Sequence, residues 1–164
     1  MIEFVEELIA VALSQVGVRE KGRNRGPDVD KYLRSVGLDP EKGCYPWCAS
    51  WVYWVAEEAS KALDLPNPCP RLAGALRMRD AAAGARVKKP VRGALFFIDK
   101  GQGKGHVGIV ESVVGVAFKS IEANTNAGGS REGDGVYRRI RTIEECNGGF
   151  VDLTKRLPTR ADVA

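Results

Sequence analysis

Histidine occurs once in the 164 residues and methionine twice. No apolar run approaches the roughly 20 residues that a membrane span requires. Cys44, Cys48, Cys69 and Cys146 form no CxxC pair, and the separations among the later ones are long and irregular, which argues against a structural zinc site. An Asp-rich calcium loop is missing as well, because "NRGPDVD" lacks the alternating oxygen ligands such a loop needs. No metal and no other cofactor are expected. The N-terminal "MIEFVEELIAVALSQVG" has no basic leading segment and carries Glu3, Glu6 and Glu7 where a signal peptide wants positive charge. A soluble chain, with no export signal of its own and no stable membrane association, is therefore expected. Internal repeats and low-complexity tracts are also absent, so residues 1–164 are expected to form a single domain.

What is present fits that expectation: 44% apolar and 28% charged residues are the profile of an ordinary domain with its own core. The formal net charge of +4 favours anionic partners, yet the basic residues are dispersed. Lys88 and Lys89 precede Pro90, while Arg138, Arg139 and Arg141 fall on an expected strand, where a solvated face accounts for them. Nucleic acid is not an expected partner. A core of this size needs no disulfide, so reduced thiols are the default for the four cysteines.

Helical periodicity covers residues 2–15, and Gly17 ends it. A short second helix is expected from Pro27 to about Ser35, a third opening at Pro46, and a fourth within "LAGALRMRDAAA". The period then changes. Residues 93–99, 106–113, 116–124, 135–142 and 149–153 read as strands parted by Gly or Asn clusters. Helices first and consecutive strands afterwards predict an α+β domain, with helices on one face of an antiparallel sheet of about five strands.

In "YPWCASWVYWVAEEA" the thiol of Cys48 falls in the first turn of the third helix, where unpaired N–H groups favour a thiolate. Buried unpaired cysteines are ordinarily just small apolar residues, so this segment alone leaves both readings open. His106, in "GKGHVGIVES", starts a strand after a glycine-rich loop and is the only imidazole available as a base. A third group must orient that imidazole, and "SIEANTN" offers Glu122 and Asn124 two residues apart, hence on one strand face. The loop before the third helix could line a cleft, which makes Glu20, Asn24 and Arg25 candidate substrate contacts. Tyr45, Trp47 and Trp51 are aromatic candidates for the same role, with Tyr45 the foremost because it lies just outside the helix.

Cysteine at a helix start, histidine on one strand and a carboxylate or amide on the next is the order of papain-like hydrolases. "PWCASWVYWV", "GHVGIVES" and "IEANTN" together resemble the CHAP family, cysteine- and histidine-dependent amidohydrolases and peptidases that cut peptidoglycan and are related to NlpC-type wall peptidases. The upstream "GVREKGRNRGPDVDKYL" is similar to the start of such domains in phage endolysins and bacterial wall hydrolases. The resemblance covers residues 2–124. It implies a papain-like cysteine hydrolase fold, with Cys48 as nucleophile, His106 as general base and later acid, Glu122 orienting His106, and Asn124 as an accessory polar group. Ala94 stands where the family usually has an acidic residue, so no carboxylate role is expected there.

The activity implied is amide cleavage in peptidoglycan through a thioester, by an N-acetylmuramoyl-L-alanine amidase or a stem or cross-link endopeptidase. The resemblance also implies a monomer made in the cytoplasm that acts at the bacterial wall. Without an export signal it would be delivered by a phage holin or a secretion system, with an immunity protein as partner if it is an effector. Two alternatives remain open at this point: a papain-like thiol protease or transferase acting on another substrate, and an inactive wall-binding module.

Overall fold

The computed structural model describes residues 1–125 and 133–158. Helix α1 spans Ile2–Ser14 and buries Phe4, Leu8, Ile9 and Ala12, a single stripe at helical spacing. Helix α2 spans Pro27–Ser35, with Pro27 pre-set for the first turn and Asp28 and Asp30 facing its positive end. The residue before it, Gly26, has φ 130°, a left-handed value that a side chain would resist.

Helix α3, Cys48–Ala62, is the central one. It packs against both other N-terminal helices and against the sheet. Trp51, Val52, Val55 and Ala56 are fully buried, and each large apolar side chain so buried contributes about 1.5–3 kcal/mol. α3 begins at Cys48 instead of Pro46, because Trp47 holds the non-helical N-cap conformation, φ −120° and ψ 10°. Helix α4 is confined to Ala75–Ala81 and is followed by a 3-10 turn at Ala83–Ala85.

The strands are β1 (Arg86–Val87), β2 (Leu95–Asp99), β3 (Gly105–Val114), β4 (Ala117–Thr125), β5 (Gly135–Thr142) and β6 (Gly149–Val151). They form one sheet in the order β1-β6-β2-β3-β4-β5, and every pairing is antiparallel. Among the described residues the sheet thus has six strands, one more than the five stretches read from the sequence. The extra one, β1, is two residues long and is defined only by its distant partner β6, so no local pattern announces it.

Alternation along the strands divides two cores. Leu95, Phe97, Val107, Ile109 and Ile121 join the helices in the main core. Phe96, Val110, Phe118 and Phe150 build a smaller one. Three of these rings pack at inclined angles, Phe96 on Phe118 at 5.4 Å and Phe118 on Phe150 at 5.9 Å between centroids. Among the described residues, no helix is long and apolar enough to cross a membrane.

Candidate active site

Each candidate side chain is delivered by a different element. Cys48 is the first residue of α3, His106 is the second of β3, and Glu122 lies on β4. In register, His106 pairs with Ile98 of β2, which places it at the leading end of β3. All three are buried, with Cys48 4% exposed, His106 1% and Glu122 0%.

Glu122 anchors the imidazole. Its Oε2 accepts a hydrogen bond from His106 Nε2 at 2.9 Å, which fixes the tautomer and leaves Nδ1 as the nitrogen available to the thiol. Nδ1 has no hydrogen-bond partner of good geometry. The thiol and imidazole are nevertheless close enough to shift each other's protonation. Such contacts are often long without substrate and tighten when it binds.

The electrostatics have one direction throughout. Burial alone would push the Cys48 thiol up, but the neighbouring His106 and the backbone N–H groups of Val107 and Ala49 bring it below the ordinary thiol value. Ala49 supplies the helix-start contribution that the position of Cys48 implies. For His106, burial would lower the pKa, yet Cys48 and Glu122 raise it to about 9. Glu122 is likewise penalised by burial and is held at about 2 by His106 and Arg141. All three shifts thus favour the charged forms, thiolate, imidazolium and carboxylate.

Space for these groups depends on a glycine. A Cβ at Gly108 would lie 2.6 Å from a ring atom of Phe96 and 2.9 Å from Cγ of Glu122. Only a residue without a side chain lets the carboxylate lie across β3 beside His106.

Asn124 does not share the face of Glu122 by simple alternation. The β4–β5 register shifts between Ala123 and Thr125, and Asn124 is the bulged residue, with φ 53°. Its side chain is buried, with Oδ1 unpartnered. Asn124 thus keeps a buried amide oxygen with unused hydrogen-bonding capacity two residues from Glu122.

The upstream loop serves the helix start. Glu20 Oε1 accepts from the indole Nε1 of Trp47 at 2.7 Å, and its Oε2 accepts from the backbone N–H of Asn24 at 2.9 Å. Trp47 itself is fully buried and stacks on Tyr32, with ring centroids 5.7 Å apart. Asn24 is buried too, φ 53°, and its Nδ2 donates to Cys44 Sγ at 3.3 Å. Burial removes Trp47, Trp51 and Asn24 from the expected substrate contacts and gives Trp47, Glu20 and Asn24 a different task, holding the segment that presents Cys48. Arg25 is occupied by Asp30 and Glu41. Tyr45, half-buried, is the aromatic candidate with exposed surface.

Two site-supporting residues escape sequence reasoning. Ser120 donates to Glu122 Oε1 at 2.6 Å. Arg141, expected on a solvated face, is instead buried and bridges both oxygens of Glu122. The signal that could have found it is the strand period: Arg141 lies opposite Phe118, on the covered face of β4. Among the described residues, no group of three or more His, Cys, Asp or Glu side chains is gathered as a metal site.

A helix-borne thiol set against a strand-borne imidazole, with helices packed on an antiparallel sheet, defines the papain-like class. Within that class, the sequence pattern of the CHAP domain matches residues 40–124, a little over half of the chain, and the chain belongs to the CHAP family. Two solved structures share the fold: the crystal structure of Ly7917, and that of Ly7917 with the hydrolyzing product of MDP. The first has 17% sequence identity and a TM-score of 0.52, and the second 17% and 0.51. Each comparison covers 90% of this chain, which spans 59% and 60% of those longer chains respectively. No curated protein matches the chain.

Proposed function

We propose that this protein is a peptidoglycan hydrolase that cleaves an amide bond, with Cys48 as nucleophile, His106 as base and acid, and Glu122 as the group that orients His106. The observation that carries this reading is the buried array itself: Cys48 at the first turn of α3, His106 at the leading end of β3, and Glu122 holding His106 Nε2 at 2.9 Å. Membership of the CHAP family supports the reaction class. A fold shared with a protein crystallised with the hydrolyzing product of MDP supports the substrate.

In the first half of the reaction the Cys48 thiolate attacks the carbonyl carbon, and the negative charge moves to the carbonyl oxygen. Cys48 opens α3, so its own N–H has no partner within the helix and can donate to that oxyanion. The imidazolium of His106 then gives its proton to the departing amine, and a thioester remains on Cys48. In the second half His106, now neutral, takes a proton from water, which attacks the thioester and releases the carboxylic acid. Asn124 is an accessory polar group of the site, and Tyr45 supplies apolar contact to the bound peptide. The scissile bond is either the one between muramic acid and alanine or one within the stem or cross-link, and the enzyme acts at the bacterial wall as one catalytic unit.

Digestion of purified sacculi followed by mass spectrometry tests the reading and names the bond. New amino groups without new reducing ends are expected; sacculi left intact, or sugar ends released, would overturn it.

The pH profile should be bell-shaped. Below the depressed thiol pKa the nucleophile is protonated and activity falls; above about 9 the imidazolium is lost and the leaving amine gets no proton. Initial rates on sacculi across pH should therefore show an acid limb below the free-thiol value of about 8.5.

Gly108→Ala tests the space behind His106. The added methyl should cost ~1–3 kcal/mol of stability as overpacking. Displacement of Glu122 or the ring should lower turnover on the order of 10²-fold. A thermal melt and a lysis assay on the same preparation separate the two effects.

A further inference from the structure

Glu122 is held by more donors than its role toward His106 requires. Besides His106 Nε2 it receives the Ser120 hydroxyl at 2.6 Å, Arg141 Nε at 2.9 Å on Oε1 and Arg141 Nη2 at 2.7 Å on Oε2. The guanidinium therefore grips both carboxylate oxygens, with side-chain exposures of 8% for Arg141 and 0% for Glu122. Arg141 is itself aimed from behind. Its Nη1 donates to Glu145 Oε1 at 3.3 Å, and Oε2 of Glu145 accepts from both the backbone N–H and the hydroxyl of Thr142.

A charge in such surroundings is costly unless matched. His106 alone cannot be the steady counter-ion, because the reaction removes its proton between the two half-steps. Arg141 cannot lose its charge at any relevant pH. We propose that Arg141 is a positioning residue for catalysis: it keeps Glu122 a fixed carboxylate while the proton on His106 comes and goes, and so it sets the Cys48–His106 pair through Glu122.

The inference rests on the catalytic roles proposed for Cys48, His106 and Glu122. The groups that face Glu122 and Arg141 are His106 from β3, Ser120 from β4, and Glu145 and Cys146 from the turn after β5, with Cys48 of α3 beyond His106. Burial pushes the Cys146 thiol up to about 12, so it stays neutral. In wild-type protein the hydrogen bonds of His106 and Arg141 outweigh burial in setting Glu122. Without the guanidinium only His106 would oppose burial, and Glu122 would take up a proton at higher pH than in the wild-type protein. A neutral Glu122 no longer favours the imidazolium, and the thiolate loses its partner.

Two variants of the full chain test this, Arg141→Gln and Arg141→Lys, read by the pH profile on sacculi and by the ultraviolet absorbance of the thiolate, which needs no substrate. Arg141→Gln should move the acid limb and the thiolate titration upward by about one unit or more. In Arg141→Lys the charge stays but one contact replaces two, so both should remain near their wild-type positions. Its kcat should fall about ten-fold or more with KM unchanged. An unmoved acid limb and thiolate titration in Arg141→Gln would overturn the proposal. So would Arg141→Lys with a displaced limb or an unchanged kcat. Should Arg141→Gln not fold, the lysine variant decides by these same outcomes. A thiolate that shifts as expected in a protein inactive on sacculi would sink peptidoglycan as the substrate and leave the coupling of Arg141 to the Cys48–His106 pair standing.

Discussion

Cys48→Ala should lower the hydrolysis of purified sacculi by on the order of 10⁴-fold or more, to the level of a no-enzyme control. In the proposed mechanism the sulfur forms the covalent intermediate, and Ser120, whose hydroxyl is given to Glu122, cannot substitute for it. Folding should be little affected, since a small buried side chain is exchanged for a smaller one, and the melting temperature gives the check. Cys48→Ser is the sharper version. A hydroxyl in the same place has a far higher pKa, and an imidazolium that serves to stabilise a thiolate will not ionise it. Near-wild-type lysis by either variant would remove Cys48 from the mechanism.

His106→Ala should be as damaging, by about 10⁴-fold, because nucleophile and base act as a unit. It carries a second signature. His106 is the foremost influence that lowers the Cys48 pKa against burial, so without it burial wins and the thiol moves upward. Alkylation by iodoacetamide at neutral pH, followed at Cys48 by peptide mass spectrometry, should slow markedly. Cys44, exposed and not among the influences on the Cys48 thiol, serves as the internal reference. Unchanged alkylation of Cys48 would mean that the imidazole does not govern the sulfur.

Much of this could be read from the residues in order. Helix α2 is observed as Pro27–Ser35, as its proline and periodicity indicated, and α1 ends within a residue of expectation. These boundaries are local events, set by a ring that fixes φ or by a glycine. The start of α3 is not local. Trp47 is tied to Glu20 and Tyr32, far away in sequence, and those contacts delay the helix until Cys48. The same limit explains Arg141. Its alternation was visible, but whether the face it occupies would be covered depended on Glu122 sitting behind His106, which only the paired strands reveal. Asn124 illustrates a third case. Strand alternation predicted its direction, and a bulge cancelled that prediction.

The groups proposed to react hang from different layers: the sulfur from the helices of the main core, and the imidazole and its carboxylate from the sheet. Nothing covalent joins the two at the seam, so the layers must stay docked for the sulfur to remain a good nucleophile. Any strain, partner or solvent that lets them part by a bond length would silence the chemistry long before the polypeptide came undone.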